Sequence, residues 1–123
     1  MIVADILKRQ ISLSYPNATK ESEDELIGVD IEGCGRLNVN KKLQIHMEFD
    51  LPIHQDHNVI QLFFSPRVKA KSENMRIFFS RTKFQAECDF WELKEMWEFE
   101  AAMEYFLVFK NMYDALIEFN SYK

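Results

Sequence analysis

Between Leu43 and Leu51 the chain alternates strictly: Leu43, Ile45, Met47, Phe49 and Leu51 are apolar, while Gln44, His46, Glu48 and Asp50 are polar. Successive side chains of a strand point to opposite faces, so this run specifies a strand with one dry face and one wet face. A sheet built around it needs cover on one side only. Pro52 closes the run.

The same period of two runs through Ile27, Val29 and Ile31, then past Gly33 and Gly35 to Leu37 and Val39, with Asp30, Glu32, Arg36 and Asn38 on the other face. The pattern leaves open whether Glu32-Gly33-Cys34-Gly35 is a tight turn or a kink in one long strand. Asn40-Lys41-Lys42 reads as a turn. After a loop, IHQDHN, the stretch VIQLFFS reads as a third run, MRIFFS as a fourth and KFQAEC as a fifth. Upstream, IVADILKRQISL places Ile2, Val3, Ile6 and Leu7 on one stripe, a short amphipathic helix ended by Tyr15-Pro16. SYPNATKESEDE has no periodicity and reads as a surface loop.

The predicted architecture is α+β over residues 1–123: helix 2–13, surface loop 14–25, an antiparallel, meander-like sheet of four to five strands over 26–88, and a long helix 90–119. Both helices cover the apolar face of the sheet. A chain of 123 residues buries enough surface for one core without staples. The composition, 47% hydrophobic and 28% charged with 3 Gly and 3 Pro, is that of a globular domain.

The last predicted helix carries the oddest surface. Residues 89–119 contain no Gly or Pro; Asp89 is a candidate N-cap with Glu92 three residues on, which starts the helix at Phe90. Phe99, Ala102, Met103, Phe106, Phe109, Tyr113, Leu116 and Ile117 then form one broad stripe, opposite Glu100, Glu104, Asn111 and Glu118. In the first two turns Phe90, Leu93, Met96 and Trp97 point elsewhere, so the apolar face swings by nearly half a turn. Either the chain breaks near residues 97–99 or one continuous helix carries a second surface. The absence of a breaker favours a continuous or mildly bent helix. It would show Trp97 beside Glu92, Glu95 and Glu98, with Glu100 and Glu104 extending the acidic side.

Several chemistries find no support in the pattern. Cys34 and Cys88 stand far apart without a C-x-x-C partner and read as buried free thiols. His54 and His57 flank Asp56 without further ligands, which is a surface loop before it is a metal site, so no metal or other cofactor is expected. Neither a nucleophile beside a His nor a phosphate-binding Gly-rich loop is present, and an enzyme is not expected. No signal peptide or membrane span of ~20 apolar residues is legible, which predicts a cytoplasmic protein.

Charge is distributed in blocks. Residues 61–83 carry Arg67, Lys69, Lys71, Arg76, Arg81 and Lys83 against Glu73, whereas the rest of a chain of net charge −5 is acidic. Lys-protected edge strand is the plain reading of this basic strip and nucleic-acid binding the functional one. An acidic body with carboxylates beside exposed aromatics suits a basic protein target, a toxin domain such as a nuclease, because such a surface steers association. In size, charge and mixed α/β content the chain resembles bacterial immunity proteins, which neutralise toxins by binding and blocking them. Glu92, Glu95, Trp97, Glu98, Glu100 and Glu104 are the partner-binding candidates of that reading. The alternative is a dimeric chaperone or adaptor for a secreted effector, also small and acidic. That class usually alternates helices with strand groups, and the consecutive runs read here do not.

Overall fold

The computed structural model describes residues 2–50, 57–68, 74–80 and 82–121. In chain order these form α1 (Ile2–Ser14), β1 (Glu25–Ile31), β2 (Gly35–Asn40), β3 (Ile45–Asp50), α2 (His57–Val68), β4 (Asn74–Phe79), β5 (Lys83–Asp89), a 3-10 turn (Trp91–Glu95) and α3 (Glu98–Ser121). The five strands make one antiparallel sheet in the order β1-β2-β3-β5-β4. This is the expected α+β fold, with one change to the meander. After β3 the chain crosses through α2 to the far edge, and β5 returns to pair with β3.

One face of the sheet is dry. Ile27, Val29, Ile31, Leu37, Val39, Ile45, Met47, Phe49, Phe84, Ala86 and Cys88 alternate onto it and are buried beneath the helices. The central knot is aromatic. Phe49 of β3 meets Phe64 of α2 at 5.0 Å, Phe84 of β5 at 4.8 Å and Phe119 of α3 at 4.8 Å between ring centroids. Each ring removes a large apolar area from water, and truncating any of them to Ala would cost about 3–5 kcal/mol. On the other flank, Tyr15 just past α1 packs on Phe109 and Tyr113 of α3 at 5.6 and 4.4 Å. Both cysteines are buried and neither forms a disulfide, and the Cys34 thiol donates to the Leu116 carbonyl at 3.7 Å. Burial, with help from the Asp89 charge, pushes the Cys88 thiol up to about 12, so it has no thiolate character at neutral pH.

The ambiguity at residues 32–35 resolves as a turn. Ile31 pairs with Gly35, and the Cys34 N–H donates to the Ile31 carbonyl at 3.0 Å. Gly33 sits at φ +72°, the left-handed conformation that closes a three-residue hairpin. At the next hairpin the Asn40 side chain accepts the N–H groups of Lys42 (2.9 Å) and Gln44 (3.0 Å). Leu43, expected as the first strand residue, lies instead in this turn at φ 62° with its side chain still buried.

Two sequence expectations are corrected. VIQLFFS is helix, not strand: it belongs to α2, where Ile60 and Phe64 are buried one turn apart and Phe63 packs beside them. A run apolar in almost every position carries no period that separates helix from strand. The long helix 90–119 is also not continuous, and Asp89 does not cap it. Asp89 ends β5, where it accepts hydrogen bonds from Gln44 Nε2 (2.6 Å) and Arg76 Nη2 (3.0 Å). The 3-10 turn follows, Met96 is extended (φ −84°, ψ 158°), and α3 begins when the Ala101 N–H donates to the Trp97 carbonyl at 2.8 Å.

Phe90 and Leu93 must face the core, and Phe90 stacks edge-on against Tyr105 at 4.7 Å. The inner stripe of α3 runs through Ala101, Tyr105, Val108, Met112, Ala115 and Phe119. At 100° per residue Phe90 points the same way as Ala101, Val108 and Phe119, so the half-turn swing read from the sequence belongs to the expected stripe through Phe99 and Ile117 and is not what breaks the helix at Met96 and Trp97. Phe99 and Ile117, expected on the buried stripe, are exposed. No helix among the described residues is long and apolar enough to cross a membrane.

The two hairpin glycines separate conformational from steric need. A Cβ on Gly35 would lie 2.1 Å from the Glu48 carbonyl oxygen, whereas one on Gly33 meets nothing within 4 Å. Gly33→Ala is expected to lose about 1 kcal/mol of stability through φ strain alone. Gly35→Ala must push β2 from β3 and should lose about 3 kcal/mol or more. Urea unfolding of both variants measures the difference.

Candidate functional site

Three surfaces remain uncovered by the fold. The first is the edge where the chain breaks before α3. Trp97 is 80% exposed and Phe99 63% exposed, and Glu95, Glu98 and Glu100 are exposed around them. Trp97 projects because its residue occupies the N-cap position, outside the packed stripe of α3. None of these three glutamates takes part in a hydrogen bond or ion pair among the described residues. Glu98 and Glu100 also lie in the first helical turn, where their charge favours the helix dipole. Of the other residues expected here, Glu104 is half-buried and already engaged, and the Glu92 side chain lies outside the described part of the structure. Phe90, Leu93 and the half-buried Met96 turn inward and do not contribute.

The second surface is the outer side of α2. Val59 is 58% exposed, Leu62 is 73% exposed and Pro66 is exposed. At 100° per residue these three fall within about 60° of one another, opposite Ile60 and Phe64. The stripe carries no charge. Arg67, at its margin, lies 3.8 Å over the Phe63 ring and holds Glu118 of α3 through Nε at 2.9 Å. An amphipathic helix has one apolar side; α2 has two.

The third surface is the open face of the sheet, opposite the helices. Its polar side chains are organised around Arg36 of β2. Arg36 donates from Nε to Glu25 Oε2 at 3.1 Å and from Nη2 to Glu25 Oε1, making a two-pronged pair with a buried carboxylate. It also reaches Asp30 Oδ1 (2.9 Å), the Thr19 carbonyl (3.1 Å) and Glu21 (3.3 Å). The guanidinium crosses Gly28, where a Cβ would stand 2.8 Å from Nη2. With the Thr19–Gly28 bridge, this clamp fastens the acidic segment after α1 along the outer edge of β1.

Farther along the same face, Lys83 Nζ donates to Glu48 at 2.6 Å, and Arg76 Nη2 donates to Glu87 and Asp89 at 3.0 Å each. The Lys83 ammonium holds the Glu48 carboxyl below its ordinary range against the opposing effect of burial. Beside Arg36, the Glu21 carboxyl is raised, chiefly through its hydrogen bond with Asp30. Among the described residues the face thus presents seven carboxylates (Glu21, Glu25, Asp30, Glu48, Asp50, Glu87, Asp89) against Arg36, Arg76 and Lys83.

These pairs bear on the basic strip read from the sequence. Arg67, Arg76 and Lys83 all spend their charge on carboxylates of this chain. Lys69, Lys71, Arg81, His54 and Asp56 lie outside the described residues, as does the side chain of His57. Among the described residues, no three His, Cys, Asp or Glu side chains are grouped as metal ligands.

Comparison with known proteins adds no assignment: no family model, no curated protein and no solved structure matches this chain. Sequence reasoning reached the Trp97 edge and missed the other two surfaces. Val59, Leu62 and Pro66 recur at i, i+3 and i+7, a helical spacing masked by the apolar residues between them. Nothing local announces that Arg36 reaches an acid eleven residues upstream.

Because the Glu48 pKa is lowered in the folded chain, its stabilising contribution is complete above the ordinary carboxylate range and disappears as pH falls through the folded value. Glu48→Gln should therefore lower the urea midpoint more at pH 7 than at pH 3. A variant equally impaired at both values would place the loss in packing rather than in charge.

Proposed function

We propose that the chain is a dimeric chaperone or adaptor for another protein, pairing with a second copy of itself through the outer stripe of α2. The observation that carries this reading is α2 itself. It separates a three-strand group from a two-strand group, supplying the alternation of helices and strands usual in small acidic chaperones of secreted effectors. Its uncharged outer side is also where a chain of net charge −5 can approach its own copy without like-charge repulsion. A two-fold contact is self-complementary, so one apolar stripe serves both chains. Two buried cysteines that form no disulfide suit a reducing cytoplasm. Nothing in this reading asks for catalysis.

The test is the mass in solution. Light scattering on a sizing column should give twice the chain mass for the wild type and a single chain mass for Leu62→Glu, with unchanged circular dichroism. A wild type that stays monomeric at tens of micromolar would remove the proposal.

A second reading rests on a different observation, the unpaired carboxylates and exposed rings around Trp97. We infer that this edge suits a basic protein target, in the manner of an immunity protein that blocks a toxin. Trp side chains are frequent binding hot spots, and unpaired glutamates beside one would steer a basic partner. Replacing Glu95, Glu98 and Glu100 by Lys should slow association with a basic nuclease domain by about tenfold or more at low salt. A wild-type association rate indifferent to salt would end this reading. The nucleic-acid alternative draws less support, since Arg67, Arg76 and Lys83 are engaged within the chain.

A further inference from the structure

We propose that the open face of the sheet is a docking surface for an extended, lysine- or arginine-bearing segment of a partner protein. The inference does not rest on pairing through α2.

All three helices cover the other side of the sheet, and among the described residues this face carries no covering element. It is not flat. A depression of about 590 Å³ opens on it, lined by Asp30, Gly33, Arg36, Glu48, Asp50 and Lys83 among others. The volume is that of a few side chains, and the groove runs across β1, β2, β3 and β5. Three strand spacings make that width about 14 Å, the length of roughly four extended residues.

The charge balance selects the occupant. Each described base on the face is already held: Arg36 by Glu25, Asp30 and Glu21, Arg76 by Glu87 and Asp89, and Lys83 by Glu48. An anionic ligand would have to break one of these pairs before finding a donor. A cationic side chain instead meets oxygens that remain in excess, at Asp50 beside Lys83 and at the crowded Glu21 and Asp30. Glu21 and Asp30 press two carboxylates together with one guanidinium between them. A second cation placed there relieves the repulsion, which is a gain that exists only on binding. Arg36 and the buried Glu25 keep this wall of the groove in place beforehand, so little ordering is needed when a segment arrives.

The test uses the full chain and a fluorescein-labelled ten-residue peptide alternating lysine and threonine. Anisotropy should report binding that weakens as salt rises from about 50 to about 300 mM. Joint substitution of Asp30→Asn, Glu48→Gln and Asp50→Asn should weaken binding by about tenfold or more, while Asp5→Asn, Asp114→Asn and Glu118→Gln together, on the helical side of the molecule, should change it by less than about twofold. Equal losses in the two triple variants would reduce the effect to net charge and overturn the proposal. Loss only in the second, or no binding by the wild type, would overturn it as well. Should the first variant fail to fold, amide shifts of the wild type decide: changes on peptide addition confined to β1, β2, β3 and β5 uphold the site, and changes elsewhere refute it. Leu62→Glu is expected to bind the peptide unchanged, which keeps this outcome separate from that of the dimer.

Discussion

Phe49 is the contact on which the arrangement turns. Its ring lies within 5.0 Å of Phe64, Phe84 and Phe119, so one side chain of the central strand joins α2, β5 and α3. Tilted and offset geometries of this kind add to the burial of the rings themselves. Because β3 alternates so regularly, Phe49 can point in only one direction, and all the covering helices must gather there. The opposite face is then left to polar side chains by the same alternation. Its ion pairs are a consequence of the one-sided core.

That consequence divides the surface by charge. The open face binds its own bases and retains excess carboxylates; at the Trp97 edge Glu95, Glu98 and Glu100 pair with no base among the described residues; the α2 stripe carries no charge. The uncharged stripe and the two acidic surfaces do not compete for one partner. An uncharged apolar stripe favours close packing with a matching surface, whereas an acidic face attracts from a distance and is sensitive to salt. On the proposed pairing through α2, the acidic face would stay open to a basic client.

Much of the fold was legible because alternation and amphipathicity are strong where one face is wet. The strands at Ile27, Ile45, Met75 and Phe84 and the helix before Tyr15 follow from period alone. The missed helix fails for a physical reason: Val59 and Leu62, which hide its period, are the residues left exposed on it. A sequence rule was broken where the surface is unusual. No Gly or Pro marks the break before α3, and the swing read in the apolar face is not its cause, since Phe90 shares a helical direction with the residues that α3 buries. Of the candidate residues, Glu95, Trp97, Glu98 and Glu100 stand together in water, while Glu104 is drawn into local contacts. The clamp at Arg36 was beyond reach from sequence, since it depends on strand register and on a glycine in the neighbouring strand.

That clamp links three positions that are distant along the chain. Gly28 leaves the path open, Arg36 fills it, and Glu25 gives up its water because the guanidinium is there. A bulkier residue at 28 evicts the arginine, a neutral residue at 36 strands an acid in a dry site, and an apolar residue at 25 leaves the cation only the exposed Glu21 and Asp30. Drift at any one of these sites is therefore tolerated only alongside change at the others, and descendants of this chain should inherit or lose the trio as a unit.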